Sequence, residues 1–131
     1  MTTMNIQMVD LVSQYKKIKQ EVDEAVHRVL DSGHFILGKE VGEFESACAR
    51  YLETTHAIGC ASGTDALQVA MMALGISTGD EVITTPFTFV ATTETIALLG
   101  AVPVYVDIDP VTYNIDPSKI EAVITKKTKA I

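Results

Sequence analysis

Ser62-Gly63-Thr64-Asp65-Ala66 is a small polar turn between two apolar runs. Ala57-Ile58-Gly59-Cys60-Ala61 before it reads as a short buried strand, and residues 66–74 after it read as a helix. A strand that turns through Gly, Ser and Thr into a helix aims uncommitted backbone N–H groups at one point, and the positive end of the helix dipole lies at the same point. The chemistry this offers is anion binding, of phosphate above all. Phe89, within Pro86-Phe87-Thr88-Phe89, supplies an aromatic face that could lie near such a pocket. A phosphate cup beside an aromatic plate suits a flat phosphorylated cofactor.

The same residues also serve plainer ends. Thr64 or Asp65 can accept from a first-turn N–H as an ordinary helix cap, and the Asp65 carboxylate can fill the anion position itself. An aromatic after a strand is commonly core. Phe87 and Phe89 share one face of an extended stretch, so spacing does not separate them. The turn has neither GxGxxG nor GxxxxGK[ST] spacing, and Ser62 lies in no GxSxG elbow. His27, His34 and His56 have no His, Cys or acidic neighbour at ligand spacing, so no metal site is expected; of the three, only His34 has a place at a pocket mouth. Asp107 and Asp109, ahead of Pro110, read as a turn more than as an acid/base pair.

The elements that must position these residues follow from periodicity. Residues 13–32 read as an amphipathic helix, with Ile18, Val22, Ala25, Val26, Val29 and Leu30 at helical spacing, Ser13 as a cap and Gly33 as a stop. A loop bounded by Gly33 and Gly38 follows, then a second helix over 40–54 with Val41, Phe44, Cys48, Tyr51 and Leu52 on one face. From there strands and helices alternate: strand 57–61, helix 66–74, strand 81–84, helix 91–99, strand 101–107 and helix 117–125, opened by Pro117. Lys129-Ala130-Ile131 reads as half of one more strand, so the chain is expected to be the front part of a longer protein. Alternating strands and helices predict an α/β fold with a mostly parallel sheet and crossover helices, preceded by two N-terminal helices (13–54 against 55–131). Ligands in such sheets sit at the carboxyl ends of strands. That rule puts Ser62-Gly63-Thr64 and Pro86-Phe87-Thr88-Phe89 on one rim.

Composition sets the outer bounds. A chain of 131 residues, 47% hydrophobic, holds one ordinary domain with a core. Seventeen acidic against ten basic residues give a net charge of −7, which argues against a nucleic-acid surface. The apolar runs fall short of the ~20 residues of a membrane span, and the N-terminus lacks the pattern of an export signal. Cys48 and Cys60 have no metal spacing and read as buried, reduced thiols, in keeping with the cytoplasm.

In order along the chain stand Asp31-Ser32-Gly33-His34-Phe35-Ile36-Leu37-Gly38-Lys39-Glu40-Val41, Phe44-Glu45, Cys60-Ala61-Ser62-Gly63-Thr64-Asp65-Ala66-Leu67 and Gly79-Asp80-Glu81-Val82-Ile83-Thr84. They are followed by Pro86-Phe87-Thr88-Phe89-Val90-Ala91-Thr92, Pro103-Val104-Tyr105-Val106-Asp107-Ile108-Asp109 and Thr128-Lys129-Ala130-Ile131. Together, at this spacing, they resemble the amino-terminal part of the DegT/DnrJ/EryC1/StrS sugar aminotransferases, pyridoxal-phosphate enzymes of the aspartate-aminotransferase fold. The resemblance covers nearly the whole chain but only about a third of a family member. It implies a partial large domain of that fold, pyridoxal 5'-phosphate as cofactor, and transamination of a nucleotide-linked keto-sugar with an amino-acid donor such as glutamate. It also implies a homodimer at full length.

By the same resemblance, Gly63, Thr64 and Asp65 hold the cofactor phosphate: Thr64 through hydroxyl and N–H, Asp65 mainly through N–H. Phe89 stacks on the pyridine ring, and Phe35 touches substrate. Lys39 stands where many members have Pro. The family's Schiff-base lysine and its aspartate partner for the pyridinium nitrogen fall beyond residue 131, so the chain alone is expected not to turn over. Two alternatives stay open: a family member that is a sugar dehydratase or a regulatory protein, and a nucleotide-binding α/β module.

Overall fold

The computed structural model describes residues 8–131. It divides into two units, one running through Gly59 and the other spanning Cys60–Ile131.

The first unit holds α1 (Leu11–Ser32) and α2 (Lys39–Tyr51). Asp10, not Ser13, caps α1: its Oδ1 accepts the Ser13 N–H at 2.9 Å. Gly33 ends α1 at φ 67°, a conformation that favours glycine. The expected apolar stripe is present on α1, yet neither helix buries a residue. Gly38 opens α2 where a Cβ would lie 2.7 Å from the His34 carbonyl oxygen, so the loop closes too tightly there for any side chain. The 3.6-residue period thus fixed both helices without deciding what covers them.

The second unit is built on a parallel sheet in the order β2-β1-β3, from β1 (Glu81–Thr84), β2 (Val102–Tyr105) and β3 (Thr128–Ala130). The central strand β1 is a β-branched run launched from the Gly79-Asp80 turn, with Val82 and Ile83 buried, as a strand paired on both edges requires. Pro103 is tolerated because β2 is an edge strand. Helix α3 (Gly63–Ala73) packs on α4 (Val90–Leu98), and α4 packs on β1 and β2. Ile76, Val82, Ile96 and Ala101 form the core, with Met71, Leu99 and Ala130 against it. Burying side chains of this size contributes roughly 1.5–3 kcal/mol each for the larger ones. Thr95 is fully buried in α4, and its hydroxyl donates to the Ala91 carbonyl at 2.9 Å, so burial leaves no polar atom unpaired.

Three expectations are corrected. Residues 57–61 form no strand. They lie outside the β2-β1-β3 sheet, and the Gly59 N–H donates to a Glu45 carboxylate oxygen at 2.7 Å, a side-chain bond in place of a ladder bond. Cys60 is consequently exposed rather than buried, while Cys48 is half-buried. Residues 117–125 are two 3₁₀ turns, Pro117–Lys119 and Glu121–Val123, in place of a helix. The half-buried Ile120 and Val123 stand three apart, and a 3₁₀ turn stacks i and i+3.

Candidate cofactor-binding site

Residues 63–65 are not a turn before a helix but the first turn of α3 itself, with Ser62 as the cap. The Asp65 N–H donates to Ser62 Oγ at 3.2 Å, and the Ser62 hydroxyl donates to Asp65 Oδ2 at 3.1 Å. This reciprocal pair resembles a capping box and replaces the expected cap by Thr64 or Asp65. It also draws the Asp65 carboxylate back onto Ser62. The first intrahelical bond runs from the Ala66 N–H to the Ser62 carbonyl at 3.0 Å. Gly63 and Thr64 therefore carry the N–H groups that no helical carbonyl reaches. A Cβ built on Gly63 would meet nothing within 4 Å, so there is open space beside Gly63. Thr64 is half-buried, and its hydroxyl bonds to no other described residue. Open space, two backbone donors, one hydroxyl and a helix N-terminus form a donor set suited to a phosphate.

Phe89 is the N-cap residue of α4, extended at ψ 142°, and its carbonyl accepts the Thr92 N–H at 3.1 Å. Phe89 is 77% exposed and Phe87 62%, so neither is a core residue. The structure separates Phe89 from Phe87. The Phe87 ring lies against Tyr113, centroids 5.8 Å apart and tilted by 32°. Of the two expected strand ends, only β1 is a strand, running out at Thr84 just before the Phe89 loop. A cleft of about 210 Å³ is lined by Leu67 and Met71 of α3, Ile83 and Thr84 of β1, and Thr92 and Thr95 of α4, among others; its lining includes none of Gly63, Thr64, Asp65 and Phe89. Leu67 lies one turn after Thr64, and Thr84 and Thr92 flank the Phe89 loop.

Phe35 lies in the first unit, in the Gly33–Gly38 loop, 66% exposed beside exposed Ile36 and Leu37. His34, His27 and His56 belong to no cluster of metal-binding type among the described residues. Asp109 is the centre of the turn after β2. The Thr112 and Val111 N–H groups donate to its Oδ1 at 2.7 and 3.0 Å and hold its carboxyl below the ordinary aspartate value. The Ser118 hydroxyl, with Lys119 second, does the same for Asp116. The turn that Asp-Pro announces is therefore present. Tyr113 is the residue that sequence reasoning passed over. Its signal was an aromatic placed inside an Asp-capped turn.

A sequence profile for the DegT/DnrJ/EryC1/StrS aminotransferase family matches residues 16–131. Among characterised proteins, the chain is 56% identical over 126 residues to a UDP-2-acetamido-2-deoxy-3-oxo-D-glucuronate aminotransferase of Pseudomonas aeruginosa, covering 96% of this chain and 35% of that one. It is 52% identical to a pleiotropic regulatory protein of Geobacillus stearothermophilus, covering 98% and 34%. Among solved structures it superposes on a DegT DnrJ EryC1 StrS aminotransferase from Brucella abortus with a TM-score of 0.92, 42% identity, and coverage of 97% and 36%. It also superposes on a Bacillus subtilis protein with bound PMP at a TM-score of 0.85, 36% identity, and coverage of 98% and 30%. The chain spans about a third of the length of the relatives it matches.

Proposed function

This chain belongs to the DegT/DnrJ/EryC1/StrS aminotransferase family, and from that premise we propose that it supplies the phosphate and ring contacts of a pyridoxal-phosphate transaminase acting on nucleotide-linked keto-sugars. The observation that carries this reading is the first turn of α3, which leaves the Gly63 and Thr64 N–H groups without a helical carbonyl and has open space beside Gly63. These groups fit a phosphate ester. The Asp65 N–H joins them if the phosphate shares it with the Ser62 hydroxyl that now accepts it. Phe89 fits the flat heterocycle: both phenylalanines are exposed, but the Phe87 ring lies against Tyr113. Pyridoxal phosphate, when bound, supplies an electron sink for amino-group transfer. The residues here hold and orient it: a charge-neutralising turn at one end, an apolar plate at the other. Phe35, exposed in its loop, is assigned to the substrate. Glutamate as donor, a homodimer and a cytoplasmic setting belong to the same proposal.

The test is cofactor titration in the protein encoded by the complete gene. Thr64→Val removes one hydroxyl without changing shape, and loss of a hydrogen bond to a charged group should weaken pyridoxal phosphate on the order of 10-fold or more. Phe89→Ala should weaken it by a comparable factor through lost stacking. Unchanged affinity in both variants overturns the reading. The 52% relative named as a regulatory protein supports a second reading, a family member that does not transaminate. The residue that the gene encodes at the cofactor-lysine position beyond Ile131 separates the two.

A further inference from the structure

We propose that Tyr113 is a positioning residue for the Phe89 plate, acting through the Phe87 ring; this rests on the cofactor reading above. Parallel pairing sets Thr84 of β1 beside Tyr105 of β2, so the segments that leave those two strands emerge side by side. The Val106 N–H donating to the Thr84 carbonyl at 2.8 Å holds them together at the exit. One segment is Thr85-Pro86-Phe87-Thr88-Phe89. The other turns back on itself through an antiparallel bridge between Ile108 and Ile115, with Tyr113 at its tip.

Tyr113 adopts φ 60°, a left-handed conformation that a bulky aromatic residue rarely takes. The surrounding bonds over-determine it. The Tyr113 N–H donates to the Asp109 carbonyl at 2.9 Å, the Asp109 N–H donates to the Asn114 carbonyl at 2.9 Å, and the Asp109 carboxylate accepts from Val111 and Thr112. Backbone cost of this kind persists where something uses the resulting side-chain position. Here that position brings the Tyr113 ring 5.8 Å from Phe87. Phe87 and Phe89 flank one residue in a loop anchored at both ends. The Phe87 N–H donates to the Thr85 hydroxyl at 3.2 Å, and the Thr88 and Thr92 hydroxyls lie 3.3 Å apart. Docking Phe87 on Tyr113 fixes which of the two rings is spoken for and leaves the other free to face a ligand. Phe89 has no ring partner among the described residues.

The experiment uses the protein encoded by the complete gene and pyridoxamine 5'-phosphate, which binds without a covalent link. Tyr113→Gly removes the ring and relaxes the left-handed backbone, so the fold should hold; Tyr113→Asn, also tolerant of that conformation, is the second ring-less variant. Tyr113→Phe keeps the ring. Expected are wild-type affinity for Tyr113→Phe, a loss on the order of 3- to 10-fold for both ring-less variants, and an unchanged competition constant for inorganic phosphate. Thermal midpoints should not fall, and Tyr113→Gly should add nothing on a Phe89→Ala background. Wild-type affinity in the ring-less variants beside a weakened Phe89→Ala overturns this inference alone. So does a parallel loss for inorganic phosphate, or a loss that adds to that of Phe89→Ala. A wild-type protein that does not take the cofactor overturns both this inference and the proposed function.

Discussion

Thr64 and Asp65 stand next to each other and share a helix turn, yet hydrogen bonding gives them different work. Asp65 is spent on Ser62, side chain and N–H alike, while Thr64 keeps its hydroxyl. From residue types alone either could cap. The choice depends on where the helix starts, and Gly63 as first helical residue assigns the cap to Ser62. Phe87 and Phe89 present the same case: equal in the sequence, and distinguished only because Tyr113, far along the chain, meets one of them. Asp109 carries a prediction at this scale. Its folded-state pKa is depressed by the Thr112 and Val111 N–H groups, so its contribution to the turn is present above the ordinary aspartate value of about 4 and is lost as pH falls through the lower folded value. The Thr112 amide resonance should therefore titrate with a midpoint below that ordinary value. A midpoint at or above it contradicts a carboxylate-centred turn.

Helices α1, α2 and α4 and strands β1 and β3 are legible in the sequence because apolar period and glycine stops act locally. The 57–61 segment has the composition of a strand and is not one, since strand pairing is set by distant segments and not by local composition. The 117–125 segment shows the opposite failure. Its Pro117 opening and apolar residues suit a helix, but the half-buried residues Ile120 and Val123 fit a three-residue repeat. Helix α4 carries the energetic weight of the second unit. It packs on α3, β1 and β2, with Ile96 only 2% exposed. Ile96→Ala should cost about 3 kcal/mol through lost transfer and residual cavity. A thermal or denaturant melt checks this, and a cost below about 1 kcal/mol would mean that α4 is not the keystone its burial indicates.

At the scale of the whole molecule, the chain has no lysine in a desolvated setting. All eight of its lysines are exposed, whereas an attacking lysine amine is activated by desolvation. Supplied with glutamate, pyridoxal phosphate and a keto-sugar nucleotide, the 131-residue chain should show no sustained amino transfer in a coupled 2-oxoglutarate assay; steady turnover would refute this. No helix among the described residues is long and apolar enough to cross a membrane. What the sequence determined alone is what depends on near neighbours: the alternation that makes an α/β chain, the acidic balance, the helix stops, and the Ser-Gly-Thr-Asp run that must lie at a helix start. Tertiary structure decided what depends on groups distant along the chain. It left 57–61 outside the sheet, made β1 central and β2 an edge, and brought Tyr113 against Phe87 and not Phe89. Those outcomes arise from pairings between segments, and pairing energies are written in no single segment.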